Sequence, residues 1–392
     1  MEEIILNSKK TSSFPNGNQK IATGKKQNSV AFSKENLVSY DLVVFCHLRW
    51  AFVHQRPQHI ISRLSKKYKV LLVEEPIPCL ENERGTYDLD EISPTLHVLK
   101  PKVNAISEIP LVLERMHLDR TVSIGWFYSA AFSVLIPHFN FETIVYDCMD
   151  ELSLFKGAPC ELVVQEKCLM AQADVVFTGG TALYESKCNG HTNVHCFPSS
   201  VDREHFAKTK DDIAIPEDVK NIAHPIVGYF GVIDERIDYD LLEKTALSLP
   251  EVSFVMLGPL AKVSEEELPR AANIHYLGMK SYDLLPNYLK AFDIAMMPFA
   301  MNDATKYISP TKTLEYMAGG VPIISTAIKD VVRHYESCVS IVKSAEEFKK
   351  SIIDLLHINS ESYQKEFQDI LSKTSWNATV ESMHKLIKTS KK

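Results

Sequence analysis

No stretch of this 392-residue chain is apolar for the ~20 residues that a membrane-spanning helix requires, and no apolar signal core follows the charged N-terminus. The protein is therefore expected in the cytosol. Cysteine pairs are also missing. The eight cysteines (46, 79, 148, 160, 168, 188, 196 and 338) contain no Cys-x-x-Cys, the pattern of reduced, mostly buried thiols. Cys188, His191, His195 and Cys196 have spacings close to those of a zinc site, but 194–197 reads as a strand, where His195 and Cys196 point to opposite faces. No metal site is expected. Positive charge is not in excess: a net charge of −7 argues against nucleic acid as a partner. The first strand is not followed by a Gly-x-Gly-x-x-Gly turn, which argues against a dinucleotide-dependent oxidoreductase.

What is present is an α/β pattern repeated twice. Short β-branched, near-continuous apolar runs at 41–46, 69–73, 96–99, 122–126, 143–146, 174–178 and 194–197 alternate with longer helical patterns. Such runs indicate parallel strands covered on both faces. The pattern restarts after a charged stretch, at 225–230, 253–257, 274–277, 293–297, 321–325 and 339–342. The chain therefore reads as a flexible N-terminal arm (1–38), a Rossmann-like domain (39–205), a second Rossmann-like domain (206–370) and a C-terminal helix (371–392). Ligands of such sheets bind at the carboxyl ends of the strands, so the site is expected in the cleft between the two domains.

The densest motif is Ser309-Pro-Thr-Lys-Thr-Leu-Glu-Tyr-Met-Ala-Gly-Gly320. Ser309 reads as an N-cap, Pro310 as the first helical residue and Gly319/Gly320 as the stop. A helix N-terminus attracts anions. Thr311, Lys312 and Glu315 share one face of this helix. A phosphate at the mouth beside Lys312, with Glu315 accepting from vicinal sugar hydroxyls, would suit a nucleotide sugar. The plain alternative is an ordinary capped helix before a buried strand.

The segment resembles the donor-binding helix of family 4 glycosyltransferases, retaining enzymes of the GT-B fold. It is similar in particular to a subgroup that carries Ser-Pro-Thr-Lys-x-Leu-Glu-Tyr-Met-Ala, and resembles teichuronic-acid and exopolysaccharide transferases. The family places two glutamates eight positions apart. Here the second is Glu315, which the resemblance assigns to the donor ribose, while Tyr307 stands at the first. The resemblance also covers Gly228-Tyr-Phe-Gly-Val-Ile-Asp-Glu-Arg236, a glycine loop ending in a basic residue. It implies that Gly231 lets the backbone approach the donor and that Arg236 joins Lys312 on the diphosphate. Arg236 could instead be a surface residue paired with Glu235 or Asp238. Gly258, Leu277 and Gly278 end strands where the family presents backbone to the nucleobase.

In the first domain, Trp50 and then His54-Gln55-Arg56-Pro57-Gln58-His59 follow the first strand. This density of polar and aromatic groups is costly to bury and suits contacts with sugar hydroxyls or phosphate. The subgroup carries a similar string, which points to Trp50, His54, Gln55, Arg56 and His59 as acceptor-side residues. A helix N-terminus with its capping groups is the other reading. Asp147 and Asp150 end a later strand, where many family members have a sugar-binding histidine. Either could bind sugar hydroxyls or position the acceptor, and Asp150 could alternatively be a helix cap.

The resemblance implies a retaining, metal-independent transferase without a bound cofactor. It would move a sugar from a nucleoside-diphosphate sugar to a glycan or lipid-linked acceptor in cell-surface polysaccharide synthesis. Arg236, Lys312 and Asp150 would be catalytic, and no enzyme nucleophile is involved. A C-terminal helix that crosses back onto the first domain is expected, and its lysines suggest peripheral association with the inner face of the membrane. A GT-B-fold sugar-nucleotide epimerase and a catalytically inactive nucleotide-sugar-binding subunit are the competing readings.

Overall fold

A computed structural model describes residues 37–359 and 361–390. Most of the expected N-terminal arm and the final Lys391-Lys392 lie outside these residues. Two sheets organise the chain. The first contains β1 (Leu42–Cys46), β2 (Val70–Glu74), β3 (Thr86–Ser93), β4 (Leu96–Lys102), β5 (Thr121–Phe127), β6 (Asn140–Cys148), β7 (Val175–Thr178) and β8 (Val194–Cys196), in the order β3-β4-β2-β1-β5-β6-β7-β8. The second contains β9 (Ile226–Phe230), β10 (Ser253–Leu257), β11 (Ile274–Gly278), β12 (Ile294–Met297), β13 (Ile323–Thr326) and β14 (Ser340–Val342), in the order β11-β10-β9-β12-β13-β14. The apolar runs form the interior: β1, β2, β9 and β10 are buried at every residue. Helices cover both faces, as continuous apolar strands require.

β3 departs from the expected parallel pattern. It pairs antiparallel with β4 at the sheet edge and has no buried residue. Its sequence, Thr-Tyr-Asp-Leu-Asp-Glu-Ile-Ser, alternates polar and apolar residues, so it lacks the apolar run that marks a central strand.

The Trp376–Thr389 helix packs against the first lobe rather than the second. Trp376, Val380, Met383 and Ile387 recur at helical spacing and join the first-lobe core with Ile60, Ile61 and Leu64 of the Arg56–Leu64 helix. Fully burying each such side chain is worth roughly 1.5–3 kcal/mol. Polar contacts set its register: Arg63 Nε donates to Asn377 Oδ1 at 2.8 Å, and Lys67 meets Glu381 at 2.6 Å. This is the expected crossover. Among the described residues no helix is long and apolar enough to cross a membrane.

Candidate functional site

The loops at the carboxyl ends of both sheets enclose a cleft with about 1170 Å³ of empty space, part of it open to solvent. On the second-lobe side β9 runs into Gly231, whose φ of +141° lies in the region that favours glycine. A Cβ at Gly231 would collide with Lys312 Cε, and one at Gly258 (φ +153°) would collide with the Gly231 carbonyl. The two turns are further joined by the Gly231 N–H, which donates to Leu257 O at 2.8 Å. These bare backbones leave the channel in which Lys312 lies.

Lys312 opens the Lys312–Gly319 helix, one turn before Glu315. Thr311, not Ser309, occupies the N-cap position, and no side chain caps it. The chain already turns at Pro310, whose carbonyl accepts from Thr313 N at 3.3 Å, so the regular helix begins later than the Ser-Pro signal implies. Gly320 ends the helix in the left-handed region, as expected of a C-terminal glycine. Tyr316 fixes the helix to the sheet, because its hydroxyl accepts from Phe230 N at 3.2 Å.

Lys312 and Glu315 both line the cleft, and neither side chain makes a hydrogen bond among the described residues. Burial lowers the Lys312 pKa against the opposing pull of Glu315. Burial also pushes the Glu315 carboxyl up to about 7, with Lys312 acting in the opposite direction. A carboxyl that binds its proton more tightly when folded contributes stability below its unfolded value near 4.5, and that stability is lost as pH rises through about 7. The stability advantage of Glu315→Gln over the unliganded wild type is therefore expected to grow from pH 4.5 to 7. Thermal melts across that range check this, and a constant difference would remove the buried carboxyl from consideration.

Arg236 also lines the cleft. Its partner is Asp234 rather than Glu235 or Asp238: Nε lies 3.0 and 3.1 Å from the two carboxylate oxygens and one terminal nitrogen 2.7 Å from Oδ2. Burial alone would lower the Arg236 pKa, but Asp234 holds it above its ordinary value. Asp238 instead caps the Tyr239–Ser248 helix. Glu235 reaches the first lobe, accepting from Lys156 N at 2.9 Å, and the Phe155 ring of that same loop lies 5.5 Å from the Arg236 guanidinium.

Across the cleft, the Asp150 carboxylate makes no hydrogen bond among the described residues, and burial pushes its pKa up to about 6 against the pull of Arg236. It caps no helix; Glu151 precedes the short Leu152–Leu154 turn. The Asp150 loop is anchored by Lys187, which bridges Glu151 and Glu166 at 2.6 Å each.

His54, Gln55, Arg56 and His59 line the cleft, but Trp50 and Asp147 do not. Trp50 packs on the first-lobe core. Asp147 is 0% exposed and holds Arg56 at 2.9–3.2 Å, while Arg56 also donates to Phe197 O at 2.7 Å. That pair ties β6 and the chain beyond β8 to the Arg56–Leu64 helix, a bracing role that the polar string does not reveal. Gln58 is likewise turned inward, donating to Trp50 O and Val53 O. His54 stacks on Tyr282 at 4.2 Å and His59 on Trp376 at 4.7 Å. Burial lowers their pKa values to about 4 and about 2, so both are neutral at pH 7 and suit hydroxyls better than phosphates.

Gly258 lines the cleft, whereas Leu277 and Gly278 do not; the Gly278 carbonyl is taken by Gly258 N at 2.9 Å. Met279, Lys280 and Tyr282, just beyond β11, reach the cleft instead. Tyr307 is also absent from the lining and packs on the first-lobe core. Ser309 and Thr311 line the cleft as expected. Met149, Ser199, Phe299 and Tyr282, which sequence reasoning missed, all follow within a few residues of the ends of recognisable strands.

Residues 224–357 match the model of a family described as glycosyl transferases group 1. A protein of Bacillus subtilis (strain 168), named as a teichuronic acid biosynthesis glycosyltransferase, is 24% identical over 219 residues. The match covers 51% of this chain and 54% of that protein, about half the length of each. Sucrose-phosphate synthase from Thermosynechococcus elongatus superposes with a TM-score of 0.66 at 14% identity, covering 89% of this chain and 98% of its own. An E. coli trehalose-6-phosphate structure bound with UDP-2-fluoro glucose gives 0.63 at 12% identity, covering 88% and 98%. The architecture is that of the GT-B glycosyltransferases.

Proposed function

We propose, from a GT-B fold whose second lobe matches the group 1 glycosyl transferase family over residues 224–357, that this protein transfers a sugar from a nucleoside-diphosphate sugar to a glycan or glycolipid acceptor with retention of configuration. One observation carries the reading: Lys312 and Glu315 stand one turn apart, facing the cleft with hydrogen-bonding capacity unused, and Arg236 lies in the same lining. Lys312 and Arg236 would hold the diphosphate, and Glu315 the ribose. A related fold bound with UDP-2-fluoro glucose supports a nucleotide-sugar donor.

In this mechanism the bond between the anomeric carbon and the diphosphate oxygen breaks as the acceptor oxygen bonds to that carbon on the same face. The acceptor proton passes to the departing diphosphate. Lys312 and Arg236 stabilise the charge that develops on the leaving group, and Asp150, opposite them, positions hydroxyls. Calorimetry with nucleoside diphosphates, followed by product analysis with and without a glycan acceptor, tests the proposal. Conversion of donor alone would favour an epimerase, and binding without turnover under any acceptor an inactive subunit.

Transfer is expected to need no divalent metal. The cations of the proposed diphosphate site can neutralise its charge, and the nearby Asp234 carboxylate is already occupied by Arg236. Activity lost in EDTA and restored by magnesium or manganese would overturn this and move Asp150 to a ligand role.

The acceptor is proposed to be lipid-linked and reached at an anionic membrane surface on the cytoplasmic side. Lys385 and Lys388 are exposed on the final helix, and each such lysine adds up to ~1 kcal/mol of attraction. Binding to anionic vesicles that exceeds binding to neutral ones, and weakens with salt, is expected; equal partitioning would count against it.

A further inference from the structure

Two consecutive glycines after β7 lie between Met149 of the first lobe and Ser309 and Asp330 of the second. A Cβ on Gly179 would lie 2.8 Å from the Met149 carbonyl oxygen, and one on Gly180 would lie 2.5 Å from Asp330 Oδ2 and 2.6 Å from Ser309 Cβ. Met149 precedes Asp150 in the first lobe, Ser309 leads into Lys312 in the second, and both line the cleft. The backbone of this turn is therefore the spacer between Asp150 and the proposed diphosphate cations.

The spacer is held from the second lobe. Asp330, 1% exposed, accepts from Thr181 N at 2.8 Å and Ala182 N at 2.9 Å, one backbone N–H on each carboxylate oxygen. Around this buried hook, Glu185 meets Lys329 at 2.7 Å and Arg333 at 2.8 Å, and the Thr181 hydroxyl lies 2.9 Å from His334 Nε2. Two charge-assisted hydrogen bonds in a dry contact define a separation more sharply than the exposed ion pairs around them.

We propose that Asp330 is a positioning residue: by hooking the Gly180–Ala182 backbone it sets the lobe separation at which Asp150 and Lys312 act on one substrate. The inference rests on the proposed transferase reaction, in which donor phosphates and ribose are held by the second lobe alone while the acceptor comes from the first. Loosening the hook then leaves nucleotide binding intact and removes turnover. A misplacement of about 1 Å can cost about 10²-fold in rate.

The test uses the full chain with Asp330→Asn, whose amide nitrogen cannot accept the second N–H, and Gly180→Ala, which wedges a methyl group into the contact. Glu185→Arg, at the exposed rim, reverses the outer ion pairs without entering the core and serves as a variant whose folding is not at issue. Turnover, nucleoside-diphosphate affinity by calorimetry and lobe separation by small-angle scattering are measured for each. The expected result is a fall in kcat of about 10²-fold in the first two variants and a smaller fall in Glu185→Arg. Nucleotide affinity should remain within about twofold in Asp330→Asn and Glu185→Arg, and scattering should report a more open particle. Unchanged kcat and scattering in all three, or a loss of nucleotide affinity equal to the loss of turnover in Glu185→Arg, would overturn the assignment. A wild-type protein that neither binds nucleotide nor transfers sugar would instead overturn the transferase reading. The scattering comparison would still decide whether Asp330 sets the separation.

Discussion

Replacing Lys312 by alanine is expected to lower kcat by roughly 10²–10³-fold, the effect of removing a preorganised charge contact worth roughly 3–4 kcal/mol at the transition state. The folded protein should lose nothing. The Lys312 ammonium makes no hydrogen bond among the described residues, and burial already works against its charge. A desolvated cation that has only the Tyr229 ring, 5.6 Å away, and the field of Glu315 to offset its burial is a liability in the free protein and an asset once a diphosphate arrives. The melting temperature of Lys312→Ala should therefore equal or exceed that of wild type while turnover collapses. Lys312→Arg is not expected to restore the rate, because the side chain runs directly over the Gly231 backbone and a broader planar group would need more room. Steady-state kinetics beside thermal melts decide the matter. Parallel loss of fold and activity would make Lys312 a structural residue, and unchanged kcat would remove it from the reaction.

Arg56→Ala is expected to cost about 3–5 kcal/mol of stability, the range for removing one partner of a buried ion pair and leaving the other charge uncompensated. Arg56 is 3% exposed and holds the fully buried Asp147 while also donating to the Phe197 carbonyl. Burial opposes the charge on Arg56, but Asp147 holds its pKa above the ordinary value. Truncation would thus release the ends of β6 and β8 together with the start of the Arg56–Leu64 helix. Urea unfolding of Arg56→Ala and Asp147→Asn measures the loss. Normal stability with a raised acceptor KM would restore the direct sugar contact that the polar string His54–His59 first implied.

That pair shows where local sequence stops being informative. His54, Gln55, Arg56 and His59 follow a strand end and read alike, as polar groups beside a cleft. The structure separates them by partner: His54 and His59 are stacked and neutral at the wall, whereas Arg56 is committed to Asp147, 91 positions away. Residues remote along the chain leave no local mark of such a pairing. Tyr307 is a similar case, since its contact is with the core of the other lobe.

The strands, the two sheets, the helix stop at Gly320 and the cluster of Ser309, Thr311, Lys312 and Glu315 were determined by the sequence itself. Each depends on short-range physics: apolar runs that must be buried on both faces, glycine in the left-handed region, and the i to i+3 neighbourhood along a helix. The edge strand β3 escaped because a half-solvated strand needs no apolar run. Tertiary structure alone decided which charges would remain free. Asp234 takes Arg236 and Asp147 takes Arg56, while Asp150, Lys312 and Glu315 are left facing the cleft. It also decided that Asp330 would reach across to Thr181 and Ala182. The physical reason is that a carboxylate binds whichever donor the fold brings within hydrogen-bond reach: packing within the first lobe sets that distance for Asp147 and Arg56 and packing between the lobes sets it for Asp330, while Asp234 alone meets a near neighbour in the chain.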